Sequence, residues 1–118
     1  MTRTGTAALL LALCGYAGTC TAHVLSAQEC REGGDFIYDA ALSRDNGVTR
    51  AFFIGRMRAD FVAIRAFPKE LRWFAQDRED EALLLAAAKQ VFDAPQSGAA
   101  HRQAFLAECM AHTASLAP

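Results

Sequence analysis

Residues 26–30 read SAQEC, and they place Cys30 near the start of the part of the chain that we expect to fold. The next cysteine is Cys109, close to the other end of this 118-residue chain. Two cysteines in an exported protein favour a disulfide, because the compartments outside the cytoplasm are oxidising. The chain has no CxxC pair, and structural zinc needs four ligands in local pairs. We therefore predict a Cys30–Cys109 bridge that closes the fold.

The stretch before SAQEC has the features of a secretory signal. Arg3 supplies a positive charge, and the apolar run AALLLALCGYAG follows at residues 7–18. The small residues at 26 and 27 place the cleavage after Ala27, with cleavage after Ala22 as the alternative. The apolar run is shorter than the roughly 20 residues of a membrane-spanning helix. The sequence therefore predicts an exported chain without stable membrane insertion.

This interpretation divides the chain into a signal peptide over residues 1–27 and a single domain over residues 28–118. Its location is predicted to be the periplasm of a bacterium or the outside of the cell. Lipidation at Cys20 is a lesser alternative, because Thr19 is a poor match for the small residue expected directly before a lipidated cysteine.

The charge of the mature chain is almost balanced. Removing residues 1–27 takes away Arg3 and no acid, which leaves 13 acidic and 11 basic residues. A protein that binds nucleic acid or an anionic membrane surface carries a basic patch, and no such cluster occurs. We expect no nucleic-acid partner and no cofactor.

The mature sequence predicts a small all-α bundle of four to five short helices, without any strand-like alternation. Gly33 and Gly34 precede Asp35, a good N-cap for the first helix, and Pro68 suits the first turn of the third. Asp77 is expected to cap the fourth helix. The predicted helices cover residues 35–44, 48–66, 68–76, 78–93 and 99–114.

The second predicted helix carries two apolar stripes on different sides. One consists of Phe53, Ile54, Met57, Phe61 and Ile64, and the other of Val48, Phe52, Ala59 and Ala63. A helix with two apolar faces is expected at the centre of a bundle, where two neighbours cover it. Between the stripes lie Arg56 and Asp60, one turn apart, which we predict to form a half-buried structural ion pair.

Residues with catalytic or metal-binding chemistry are sparse. His101, Glu108 and His112 share one side of the last helix, which is expected to be a solvated polar face, and Glu108 with His112 is only a weak metal candidate. No GxSxG, HExxH or EF-hand pattern occurs. We therefore predict that the chain is not an enzyme.

Trp73 is the most informative candidate, with Arg72 and Arg65 near it in sequence. Tryptophan and arginine are enriched among the residues that dominate binding energy at protein interfaces. We predict a protein-interaction module of the inhibitor, immunity or chaperone-like kind, with another protein or a second copy as partner. The alternative is a periplasmic protein that binds a small ligand, in a pocket lined by Phe52, Phe53 and Phe61, or a metal ion.

Overall fold

A computed structural model of the chain describes residues 23–116. This part of the chain is all-helical, as the sequence predicts, and the first 22 residues of the predicted signal lie outside it. None of the described helices is long and apolar enough to cross a membrane. The helices are α1 (Ala27–Asp45), α2 (Arg50–Ile64), α3 (Arg78–Asp93) and α4 (Gly98–Leu116).

Helix α1 begins well before the predicted start at residue 35. Ser26 is its N-cap: the Ser26 hydroxyl accepts a hydrogen bond from the Glu29 backbone, and the Glu29 carboxylate accepts one from the Ser26 N–H. This reciprocal capping box satisfies two amide groups that a helix start otherwise leaves free. The prediction of Asp35 as the N-cap is therefore wrong, and Asp35 lies near the middle of the helix.

Gly33 and Gly34 are inside α1 and buried, where the sequence predicted a break. A Cβ atom on Gly34 would lie 3.2 Å from the Cγ atom of Arg102 on α4. Helix–helix distance depends on the size of the side chains at the contact, so these glycines let α4 pack closely on α1. Close packing of α4 on α1 therefore explains why Gly33 and Gly34 are glycines better than a need for backbone flexibility does.

The closest pairing in the bundle is that of α1 with α4. The Sγ atoms of Cys30 and Cys109 are 2.07 Å apart, at disulfide-bonding distance, which confirms the predicted pair. Both cysteines are buried, and next to them the Thr113 hydroxyl donates to the backbone carbonyl of Leu25. The remaining large core side chains come from all four helices, from the segment before α1 and from the loop before α3: Leu25, Ile37, Ile54, Met57, Phe61, Phe74, Leu84, Val91 and Phe105.

Helix α2 lies at the edge of the bundle. Its N-cap is Thr49, whose hydroxyl accepts a hydrogen bond from the Phe52 N–H. The stripe containing Ile54, Met57 and Phe61 is buried against the core, as predicted. The second stripe is uncovered, so the prediction that α2 occupies the centre is wrong. Helical periodicity identifies an apolar face but does not say what covers it.

The predicted helix over residues 68–76 is absent. Only Lys69–Leu71 forms a single 3₁₀ turn, and the chain then runs extended towards α3. The guanidinium of Arg72 holds this connection by donating to the backbone carbonyls of Phe67, Gln76 and Arg65. Phe74 is buried by this path, whereas Leu71 is exposed.

The last two helices agree closely with the predictions. Asp77 caps α3, because its Oδ1 atom accepts a hydrogen bond from the Asp80 N–H. On α4, however, His101 is buried, and its Nε2 atom lies 3.0 Å from the Ala94 carbonyl oxygen. The prediction that His101 belongs to a solvated polar face is wrong, because the loop before α4 folds back over it.

Candidate functional site

The outward face of α2 is apolar and exposed over almost four turns. Phe52 and Val62, its largest side chains, are 65% and 63% exposed. Between and beside them lie only small residues, all exposed: Ala51, Gly55, Ala59 and Ala63. We call these six residues the outward α2 face. Helix α2 is apolar on two sides and only one of them is buried within residues 23–116, so the outward α2 face is an apolar surface that the described chain leaves uncovered.

No large side chain protrudes from the centre of the outward α2 face. A Cβ atom on Gly55 would have no neighbouring atom within 4 Å, so space is open above the helix backbone. Small side chains spaced four residues apart, as in Gly55, Ala59 and Ala63, lie on one line along a helix. Such a line permits another backbone to approach closely.

A groove with apolar walls lies along the side of α2 that faces α1. One part, of about 290 Å³, is lined by Phe36, Met57, Phe61 and Trp73, among others. An adjoining part of about 260 Å³ shares Phe36, Met57 and Asp60 with it and reaches Phe52. We call the two together the Trp73 groove, and it connects the predicted Trp73 surface with the predicted phenylalanine pocket.

Trp73 is half covered and half open. Its ring packs against Phe36 and Phe74, with ring centroids 5.8 and 5.6 Å apart, and its Nε1–H donates to the Glu32 carboxylate at 3.1 Å. The side chain remains 41% exposed at the wall of the groove. The orientation of Trp73 is therefore fixed, while part of its ring remains open to a ligand. Such an arrangement favours binding, because little side-chain entropy is lost when the ligand binds.

The opposite side of α2 is basic. A second depression, of about 440 Å³, lies between α2 and α3 and is lined by three arginines, Arg58, Arg65 and Arg78. Arg65 is paired with Glu81, whose hydrogen bond raises the pKa of the guanidinium above its ordinary value. Arg58 and Arg78 have no acidic partner among residues 23–116. Two free positive charges therefore flank the outward α2 face.

Two of the three residues predicted to bind a partner have internal contacts. Arg72 is held by three backbone carbonyls of its own loop, and Arg65 is engaged by Glu81. The side chains of Arg65 and Arg72 therefore hold in place the segment that carries Trp73. Of the three, Trp73 offers the largest free apolar surface to a ligand.

The predicted ion pair of Arg56 and Asp60 is present, with Nε of Arg56 3.4 Å from Oδ1 of Asp60. Both side chains are well exposed, however, so the prediction of a half-buried pair is wrong. The pair lies at the edge because the outward α2 face beside it is uncovered. Exposed pairs of this kind contribute at most about 1 kcal/mol, so its effect on stability is small.

The weak metal candidates do not form a common site with a third ligand. Nε2 of His112 lies 3.9 Å from Oε2 of Glu79 on α3, and Glu108 lines a separate shallow cavity with His101. Within residues 23–116 no group of three or more metal-ligating side chains occurs.

A cluster that the sequence did not predict joins the segment before α1 to the start of α3. Nδ1 of His23 lies 2.8 Å from Oδ2 of Asp80, and the His23 backbone N–H donates to Oδ2 of Asp77 at 3.0 Å. Asp80 is buried, and its Oδ1 atom has no hydrogen-bond partner. The prediction missed this cluster because it assigned residues 23–27 to the signal, although the SxxE pattern at 26–29 indicates a helix start.

The two aspartates of this cluster have opposite pKa shifts. Burial raises the pKa of Asp80, and the hydrogen bonds from His23 and the Gln76 backbone oppose this only partly. For Asp77, partial burial also acts upward, but hydrogen bonds from the backbone N–H groups of Asp80 and His23 lower its pKa overall. The difference follows from burial: both carboxylates accept hydrogen bonds, but only for the fully buried Asp80 does desolvation outweigh them.

Residues 23–116 form a disulfide-closed bundle of four helices in which one apolar helix face is uncovered. No protein-family model, no curated protein and no solved structure matches the chain. Its function is therefore inferred from the outward α2 face, the Trp73 groove and the charges that flank them.

Proposed function

We propose that this protein is an exported, non-enzymatic interaction module that binds an amphipathic helix of another protein on the outward α2 face. One observation carries the proposal: α2 is apolar on two sides, and residues 23–116 cover only one of them. Covering the exposed side removes apolar surface from water, which is the dominant favourable term in most protein association.

The shape of the surface favours a helix as the bound element. The open space above Gly55 and the small side chains of Ala59 and Ala63 allow close backbone approach. Phe52 and Val62 stand on either side of this low region, and the Trp73 groove alongside accepts apolar anchors. Recognition of this kind uses side chains spaced three and four residues apart on the bound helix.

The charges favour an acidic partner. Arg58 and Arg78 form no salt bridge within residues 23–116, and Arg56 at the opposite edge is only loosely paired. A second copy would bring the same arginines to the interface, whereas a helix with Asp or Glu beside its apolar stripe complements them. The partner is therefore a different protein with an acidic amphipathic helix.

Export is supported by the cysteines and by the amino-terminal sequence. The Cys30–Cys109 pair lies at disulfide-bonding distance, and disulfides persist mainly outside the reducing cytoplasm. The charged and then apolar beginning of the chain has the pattern of a secretory signal.

The test is site-specific photo-crosslinking in the native host. A photoreactive phenylalanine at position 52 is expected to give one discrete adduct, and the same group at Gln103, exposed on α4, is expected to give none. Mass spectrometry of the crosslinked peptide should identify an acidic amphipathic helix, and Arg58→Glu should reduce the yield of the adduct. An adduct with a second copy, or equal adducts from both positions, would overturn the choice of partner.

Stability measurements separate binding from folding. Phe52→Glu is expected to change the free energy of unfolding by no more than about 0.5 kcal/mol, because the side chain is exposed. Phe61→Ala, on the buried side of the same helix, should cost about 3–5 kcal/mol. A large loss of stability in Phe52→Glu would show that the outward α2 face is part of the fold itself.

A second candidate function is capture of a small apolar ligand in the Trp73 groove. It is favoured by the apolar and aromatic walls of the part of the groove next to Trp73, which has a volume of about 290 Å³. Because Trp73 is the one tryptophan of the chain, its fluorescence reports directly on the groove. Saturable quenching by a medium-chain fatty acid, weakened in Met57→Gln, which makes the wall polar without adding a second tryptophan, would support this function, and unchanged emission would exclude that ligand class.

A further inference from the structure

We propose that the signal is cleaved between Ala22 and His23, and that the ammonium group released on His23 pairs with Asp77. The proposal rests on the proposed export and assigns a processing site that the sequence alone placed second. It is carried by the contacts of residues 23–26 with the bundle.

The segment before α1 is an integral part of the folded domain. Leu25 is 1% exposed and belongs to the hydrophobic core, and its carbonyl oxygen accepts a hydrogen bond from Thr113 on α4. Ser26 provides the N-cap and half of the capping box of α1. His23 reaches the start of α3 through both its backbone N–H and its ring.

Cleavage after Ala27 would remove all of these contacts. The core would lose a buried leucine, and α1 would lose the N-cap formed by Ser26. Either loss alone is a substantial part of the stability of a domain this small. Cleavage after Ala22 keeps every one of them.

The local sequence fits the earlier position better. A cleavage site of the A-x-A type has small residues at the last position and two positions before it. Cleavage after Ala22 places Cys20 and Ala22 there, and both are small. Cleavage after Ala27 places the large side chain of Leu25 at the first of these positions.

The chemistry changes the charge at His23. Water adds across the Ala22–His23 amide: Ala22 leaves as a carboxylate with residues 1–22, and the His23 nitrogen becomes an ammonium. That nitrogen lies 3.0 Å from Oδ2 of Asp77, and the Asp80 carboxylate contacts the His23 ring. One neutral N–H donor is thereby replaced by a cation with three donors beside two acidic side chains. Charge-assisted hydrogen bonds are stronger than hydrogen bonds between neutral groups.

The first test is the intact mass of the exported protein, before and after reduction and alkylation. A chain that starts at His23 and takes two alkyl groups only after reduction is expected. A bridged chain that starts at Gln28 would overturn the processing site while leaving export in place. An uncleaved chain with freely alkylated thiols would overturn export, and an acylated chain that starts at Cys20 would overturn the site in favour of lipidation.

The second test measures the ammonium–Asp77 pair. Inserting one glycine between Ala22 and His23 gives a processed chain in which the His23 nitrogen is again an uncharged amide. Its unfolding equilibrium constant should rise about three- to fivefold relative to the natural chain, the range of a partly exposed ion pair. In an Asp77→Asn background, where the side chain still caps α3, the same insertion should have no effect. Equal effects of the insertion in both backgrounds would overturn the pairing.

Discussion

Gly33 on α1 lies directly against the ring of Phe105 on α4. A Cβ atom added to Gly33 would be 2.6 Å from Cε1 of that ring and 2.9 Å from Cε2 of Phe74. Both rings are fully buried, so neither has room to move aside. We predict that Gly33→Ala lowers the free energy of unfolding by about 1–3 kcal/mol, measured by urea denaturation, despite the better helix propensity of alanine.

Gly55→Ala is the matched control for that prediction. Gly55 is also inside a helix, but a Cβ atom there would meet nothing within 4 Å. The substitution should therefore stabilise the protein by about 0.5–1 kcal/mol through reduced backbone entropy. A destabilised Gly55→Ala, or a neutral Gly33→Ala, would contradict the close-packing explanation of the glycine pair.

The double variant Cys30→Ala/Cys109→Ala is expected to lose about 4–5 kcal/mol of stability, because it frees a long loop in the unfolded chain. The two cysteines are 79 positions apart, which makes the entropic effect of the bridge large. Reduced natural protein should unfold at the same urea concentration as the double variant. If reduction leaves the midpoint unchanged, the bridge is not formed in the purified protein.

The neighbouring carboxylates Asp77 and Asp80 should respond to pH in opposite directions. Asp77, with its lowered pKa, contributes stability above about pH 4 that is lost as the pH falls through its folded value. Asp80, with its raised pKa, contributes stability below about pH 4 that is lost as the pH rises through its folded value. Asp77→Asn should therefore be more damaging at neutral pH than in acid.

Asp80→Asn should show the reverse, with a smaller loss of stability at neutral pH than in acid. Urea unfolding of both variants at about pH 3 and pH 7 measures the two differences, since these values lie on either side of the ordinary aspartate pKa. Parallel pH dependence of the two variants would contradict the assignment of Asp80 as the carboxylate that burial affects most.

Arg72→Lys is expected to loosen the connection between α2 and α3. A lysine ammonium has no planar fork and cannot reproduce the hydrogen bonds to the carbonyls of Arg65, Phe67 and Gln76. The expected cost is about 1–3 kcal/mol, with a red shift of Trp73 emission and faster proteolysis within this connection. Arg78→Lys, at an exposed position of α3, serves as the control and should change none of these.

The sequence predicts those features of this fold that depend on neighbours along the chain. Asp77 is a recognisable cap, and the buried stripe of α2 follows from its 3.6-residue period. The cysteine pair follows from cysteine number and compartment. Each of these signals is local or compositional, and each agrees with the structure.

The remaining features depend on tertiary contacts that a local pattern does not contain. Gly33 and Gly34 resemble a helix break unless the closeness of α4 is known. The segment 68–76 has helical spacing, but the carbonyl contacts of Arg72 and the burial of Phe74 favour an extended path. The candidate site could not be predicted for the same reason. The sequence of an apolar stripe is the same whether another part of the chain or a different protein packs against it.

The pairing of the first helix with the last determines when this protein can fold. The α1–α4 contact and the Cys30–Cys109 pair join positions 79 residues apart, so the central interface is complete only when α4 has been synthesised. Until then α1 exposes Ile37 and Ala40 without their final neighbours, and the emerging chain lacks a stable core. The emerging chain therefore lacks its central interface for nearly the whole of synthesis, and an unfolded chain is the form that the proposed export through a narrow secretion pore requires.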